Sequence, residues 1–85
     1  MKDSGQILGK VRESFQTTFD INPDLVTMET QSSDIPGWDS VGHLSLASSL
    51  EQTFGISLDV DDLMEMEGVR QIVRVIETKL ADGQQ

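Results

Sequence analysis

The chain has 85 residues with 15 acidic and 6 basic side chains, a formal net charge of −9, and no cysteine. That length makes one small domain with a marginal core, and the missing thiols exclude a disulfide framework, a thiolate nucleophile and a sulfur-ligated zinc site. All six cations lie near the ends, Lys2, Lys10 and Arg12 in the first segment and Arg70, Arg74 and Lys79 in the last, so residues 13–69 carry uncompensated acids that repel nucleic acid and anionic lipid.

Ile7, Leu8, Val11, Phe15 and Phe19 share about a third of a helical wheel, and their spacing predicts an amphipathic helix from about Asp3 to Phe19, stopped by Asn22-Pro23. From Asp20 to Asp39 the two prolines, the Pro36-Gly37 pair and many Ser, Thr and Asp residues read as a long loop. A loop of that length needs anchors, for which Ile21, Leu25, Met28 and Ile35 are the apolar candidates, with room for one helical turn.

A second helix is predicted from about Ser40 to Phe54, with Gly55 as the left-handed residue that ends it. It has two apolar stripes. His43, Leu46, Ala47, Leu50 and Phe54 form a core face, whereas Val41, Leu44 and the small Ser48 lie on another side and read either as extra core or as a partner contact. Asp59 to Glu65 makes a turn or two of helix with Leu58, Leu63 and Met66 facing inward. Val69, Ile72, Val73, Ile76 and Leu80 recur at steps of three and four, which predicts a last helix from about Glu67 to Leu80. The fold class is therefore all-α. It is a small antiparallel bundle of three main helices and one short one in a single domain of residues 1–85, with about 1–2 and 81–85 frayed.

Candidate chemistry concentrates at Trp38-Asp39-Ser40-Val41-Gly42-His43-Leu44. Asp39 or Ser40 suits a helix cap, and the positive end of a helix also favours an anionic group attached to a serine hydroxyl. A hydrolase reading of Ser40 with His43 lacks a group that orients the imidazole and lacks the Gly-x-Ser-x-Gly elbow, so His43 reads as a packing residue or loop clamp. Asp59-Val60-Asp61-Asp62 resembles part of a calcium loop, but Met64 stands where its glycine belongs and Arg70 where its last glutamate belongs. These acids fit the negative first turn of a helix instead, and no metal site is expected. Trp38, the single tryptophan, reads as a staple pinning the loop to the bundle.

The same residues resemble the acyl carrier protein family, whose hallmark Asp-Ser-Leu at the start of the second helix appears here as Asp39-Ser40-Val41. The register continues without a gap through Leu44, Leu46, Leu50, Glu51, Phe54, Leu58, Asp61, Asp62, Met66, Val69, Val73 and Ile76, and covers the second half of the chain closely.

The resemblance implies that Ser40 receives a 4′-phosphopantetheine arm from coenzyme A through a phosphopantetheinyl transferase that uses magnesium in its own site, with Asp39 helping to present it. The chain would then carry acyl intermediates as thioesters and not be an enzyme itself. Val41, Leu44, Ser48, Glu51, Asp61 and Asp62 become partner contacts for acyl-activating or acyl-transfer enzymes with basic patches, and Leu46, Ala47, Leu50, Met66 and Val69 become the lining for an acyl chain. Ser45 stands where fatty-acid carriers usually hold a glutamate, and Gln52 and Thr53 replace further acids. These departures point to a specialised or secondary-metabolism carrier, polyketide or other, rather than the housekeeping one of fatty acid biosynthesis. A peptidyl or aminoacyl carrier of the same fold, and an unmodified acidic helical interaction module, are the alternatives. A polar start at Met1-Lys2-Asp3 and the lack of an apolar run of spanning length complete the expectation of a cytoplasmic monomer with no membrane insertion.

Overall fold

The computed structural model describes residues 4–81. The predicted start at Asp3 and the frayed ends expected at 1–2 and 82–85 lie outside these residues, while Ala81 still belongs to the last helix. Four α-helices follow in order, α1 (Ser4–Phe19), α2 (Ser40–Phe54), α3 (Val60–Glu65) and α4 (Val69–Ala81), and the described residues contain no strand. None of these helices is long and apolar enough to cross a membrane.

The core follows from the apolar stripes. Ile7, Val11 and Phe15 of α1 meet Leu46 and Leu50 of α2, together with Met66 and Val69, Ile72, Val73 and Ile76 of α4, all essentially removed from water. Leu8, Phe19, Phe54, Leu58, Leu63 and Leu80 pack at the edge of this cluster as half-buried residues. Gly55 takes φ +67° and its N–H bonds to the Glu51 carbonyl, so α2 ends where a left-handed residue permits it.

The linker between α1 and α2 is ordered and winds two 3-10 turns, Pro23–Leu25 and Ser32–Asp34, where one helical turn is expected from the sequence. Asn22 caps the first of these through its side chain, and the chain leaves that turn with Val26 in the buried position, whereas the expected anchor Leu25 is 62% exposed. Ile35 is buried and Ile21 and Met28 pack against the core as expected. Arg12 of α1 donates from Nε to the Val26 carbonyl at 2.7 Å, which ties this stretch down.

Further on, Gln31 pairs in antiparallel fashion with Gly68, the Val69 N–H donates to the Thr30 carbonyl at 2.9 Å, and Ser32 donates to Glu67. This pairing occupies the backbone at 67–68, and α4 begins at Val69 instead of the expected Glu67. A Cβ on Gly68 would lie 3.1 Å from the Thr30 carbonyl oxygen, a tight contact that a larger residue could make only if the pairing shifted by a few tenths of an ångström.

Candidate functional site

The entrance to α2 is built from a short sequence of backbone constraints. Gly37 adopts φ +89°, the Asp39 N–H donates to the Gly37 carbonyl at 2.9 Å, and the chain folds back so tightly that a Cβ on Gly42 would overlap the Gly37 oxygen. Asp39 is the N-cap. Its carboxylate accepts from the Gly42 N–H at 2.9 Å, and its carbonyl accepts from His43 N–H at 2.7 Å. Capping therefore falls to Asp39, and Ser40, the first residue of α2, is exposed with its hydroxyl engaged by no other described residue.

Behind this turn Trp38 is buried edge-on against Phe15, ring centroids 5.0 Å apart, as the staple reading requires. Its Nε1–H donates to His43 Nδ1 at 2.8 Å, and the other imidazole nitrogen lies 2.8 Å from the Leu63 carbonyl. An indole N–H can only donate, so Nδ1 accepts and Nε2 carries the proton given to Leu63. Both ring nitrogens are thus occupied and neither is free to take a proton from Ser40, which removes the hydrolase reading and makes His43 a loop clamp.

An open groove of about 540 Å³ begins at Ser40 and runs between α2 and α3. Leu44 stands on one wall and Val60, Leu63 and Met64 on the other, and the buried Trp38 and Met66 also line it. Leu44, Val60 and Met64 are 60%, 69% and 70% exposed, and Val41, just outside the groove, is 75% exposed. The second stripe of α2 is therefore surface and not core.

Of the residues expected to line an acyl chain, only Met66 reaches this groove. Leu46, Ala47, Leu50 and Val69 are buried in the bundle and do not line it. Val60, Leu63 and Met64 are not marked as lining by the sequence pattern. Val60 and Met64 are four residues apart, one stripe of a short helix, and the intervening acids obscure that signal.

The acidic candidates divide into two kinds. Asp61 is exposed, as are Glu65 and Glu67, whereas Glu51 accepts from the Leu58 N–H at 2.8 Å and Asp62 pairs with Lys79 at 2.8 Å. Asp62 also closes a capping box with Asp59, each carboxylate accepting from the other's backbone N–H, which accounts for these acids without a calcium ion. Partial burial on its own would raise the Asp62 carboxyl. The hydrogen bond from Lys79, the Asp59 N–H and the Lys79 charge outweigh it and hold the group below its ordinary value. Among the described residues no group of three or more His, Cys, Asp and Glu side chains is arranged to hold a metal ion. Ser45 and Ser48 are both exposed.

Comparison with known proteins places this geometry. The family described as "Phosphopantetheine attachment site" matches residues 9–76. The acyl carrier protein of Thermotoga maritima is 31% identical over 80 residues, covering 94% of this chain and 99% of its own length. That of Coprothermobacter proteolyticus is 27% identical over 75 residues, covering 88% and 92%. A solution structure of holo acyl carrier protein from Geobacter metallireducens superposes with a TM-score of 0.80 at 30% identity, covering 89% of this chain and 87% of that one. A match over most of the chain in both sequence and backbone is decisive: the chain belongs to the acyl carrier protein family, whose members are non-enzymatic carriers bearing 4′-phosphopantetheine.

Proposed function

We propose that this chain carries acyl groups as thioesters on a 4′-phosphopantetheine arm attached at the Ser40 hydroxyl. The observation that carries the reading is the division of labour at the α2 entrance. Asp39 satisfies the helix cap, which leaves the Ser40 hydroxyl exposed and uncommitted at the mouth of a groove. When bound, the arm supplies the thiol that a chain without cysteine lacks. Asp39 takes the Gly42 and His43 N–H groups, and the Ser40 and Val41 N–H groups at the start of α2 stay open to favour the negative phosphodiester next to Ser40. Asp39 fixes the turn that a phosphopantetheinyl transferase must engage, and Val41 and Leu44 offer it apolar contact area beside the attachment point.

The carrier we infer is a specialised one, working as a cytoplasmic monomer with acyl-activating or acyl-transfer enzymes. Ser45 and Ser48 on the exposed side of α2, and the engagement of Glu51 and Asp62 inside the chain, support recognition in which apolar contact counts for more than charge. The exposed Asp61, Glu65 and Glu67 remain to meet a basic patch. A peptidyl or aminoacyl carrier differs only in what loads the arm, and mass analysis of the group captured on the arm in cells identifies it.

The test is intact mass after incubation with coenzyme A and a broad-specificity phosphopantetheinyl transferase. The wild-type chain is expected to gain one phosphopantetheine and Ser40→Ala none. No gain on the wild type, or an equal gain on Ser40→Ala, identifies instead an unmodified interaction module or another attachment residue.

A further inference from the structure

His43 touches three elements at once. Its Nδ1 accepts from Trp38, two residues before Ser40, and its Nε2 lies against the carbonyl of Leu63 in the last turn of α3. The two bonds select one tautomer: an indole donor requires a bare Nδ1, and a carbonyl acceptor requires a proton on Nε2. The two rings lie nearly coplanar, 17° apart with centroids at 6.0 Å, the arrangement that an edge-to-edge hydrogen bond between them sets up.

The element at the far end of this link depends on such ties. Helix α3 has six residues, too few to be stable by itself, and it is held by contacts from outside: His43 to Leu63, Lys79 to Asp62, and Glu51 to the Leu58 N–H just before it. Of these three, the His43 tie alone lies in the groove, one helical turn from Ser40. At the near end the Trp38 indole is lodged against Phe15, so a single imidazole connects the core, the turn that presents Ser40 and the opposite wall.

We propose that His43 is a positioning residue for the group carried at Ser40: as the neutral Nε2–H tautomer it ties the Trp38–Ser40 turn to the end of α3 and so fixes the spacing of the groove's two walls. This rests on Ser40 as the attachment residue. His43 takes no part in chemistry, because neither nitrogen is free. Loss of the tie lets the turn and α3 move independently, and a transferase then meets Ser40 in its docked geometry for only a fraction of the time.

The experiment compares wild type, His43→Ala and His43→Asn in steady-state phosphopantetheine transfer from coenzyme A, at a temperature where circular dichroism finds all three folded. An asparagine side-chain carbonyl can stand in for Nδ1 and accept from the Trp38 indole. For His43→Ala the KM for the carrier is expected to rise about tenfold with kcat within about twofold, and His43→Asn, which keeps the Trp38 bond but has no atom at the Nε2 position facing Leu63, is expected to lose nearly as much. In the wild type, long-range nitrogen–proton correlation of the single histidine is expected to report the neutral Nε2–H form. An unchanged KM in folded His43→Ala, or an Nδ1–H tautomer in the wild type, overturns the proposal while Ser40 stands as the attachment site. A wild type that gains no phosphopantetheine removes the Ser40 reading and this inference with it.

Discussion

Gly42 leaves less room for a side chain than Gly9, Gly37, Gly55 or Gly68. A methyl group there would overlap the Gly37 oxygen and press within 2.9 Å of Phe19, so Gly42→Ala forces apart the turn that carries Asp39 and Ser40. The expected loss is about 2–3 kcal/mol in denaturant unfolding at neutral pH, the upper range for overpacking. Gly9 supplies the contrast. It lies within α1 with nothing inside 4 Å of an added Cβ, and Gly9→Ala is expected to stabilise by about 0.5–1 kcal/mol through helix propensity. Equal effects of the two substitutions would show that the turn is looser than described. At this scale the sequence displayed Ser40, because an Asp-Ser pair at a helix entrance is a local pattern. Which of the two residues caps was not legible, since both oxygens suit the position and only the carboxylate contact to Gly42 decides it. The Ser14–Thr53 hydroxyl contact and the buried Ser14 were likewise hidden, because they join residues far apart in the chain.

At the scale of elements, charge ties α3 to α4 through the Asp62–Lys79 pair. The Asp62 carboxyl titrates lower in the folded chain than in the unfolded one, so its contribution is present above the unfolded value of about 3.9 and is lost as pH falls through the folded value. Asp62→Asn is expected to be less stable than wild type by about 1 kcal/mol at pH 7, the small figure reflecting a pair near the surface. The gap should close as pH drops below about 4. A difference that stays constant down to pH 3 would assign the loss to packing and not to the ion pair. The four helices were legible because their apolar spacing is strong, and Gly55 marked the end of α2 correctly. The linker was legible only in outline. Its anchoring on Val26 and its pairing with Gly68 depend on two 3-10 turns and a long-range bridge that leave no periodic trace in the sequence.

Across the whole molecule, a closed core is set against an open apolar face. Leu46, Leu50 and Val69 are sealed inside, while Val41, Leu44, Val60 and Met64 are left to water around Ser40, grouped on one side of the bundle. The helical periodicity assigned the core side of α2 and kept its second stripe distinct, but the groove itself required knowing how α3 lies against α2. The proposed specialised role, which rests on Ser45 where fatty-acid carriers usually hold a glutamate and on Gln52 and Thr53 in place of further acids, leads to a cellular prediction: the chain supplied to a strain lacking its main fatty-acid carrier does not restore growth. Full rescue would return it to the housekeeping class. The central claim, that one oxygen at the start of α2 bears the arm, is tested most directly by fragment-ion mass spectrometry of the transferase-treated chain. The account predicts that the whole phosphopantetheine increment maps to Ser40; an increment on any of the chain's other serines, or none at all, contradicts it.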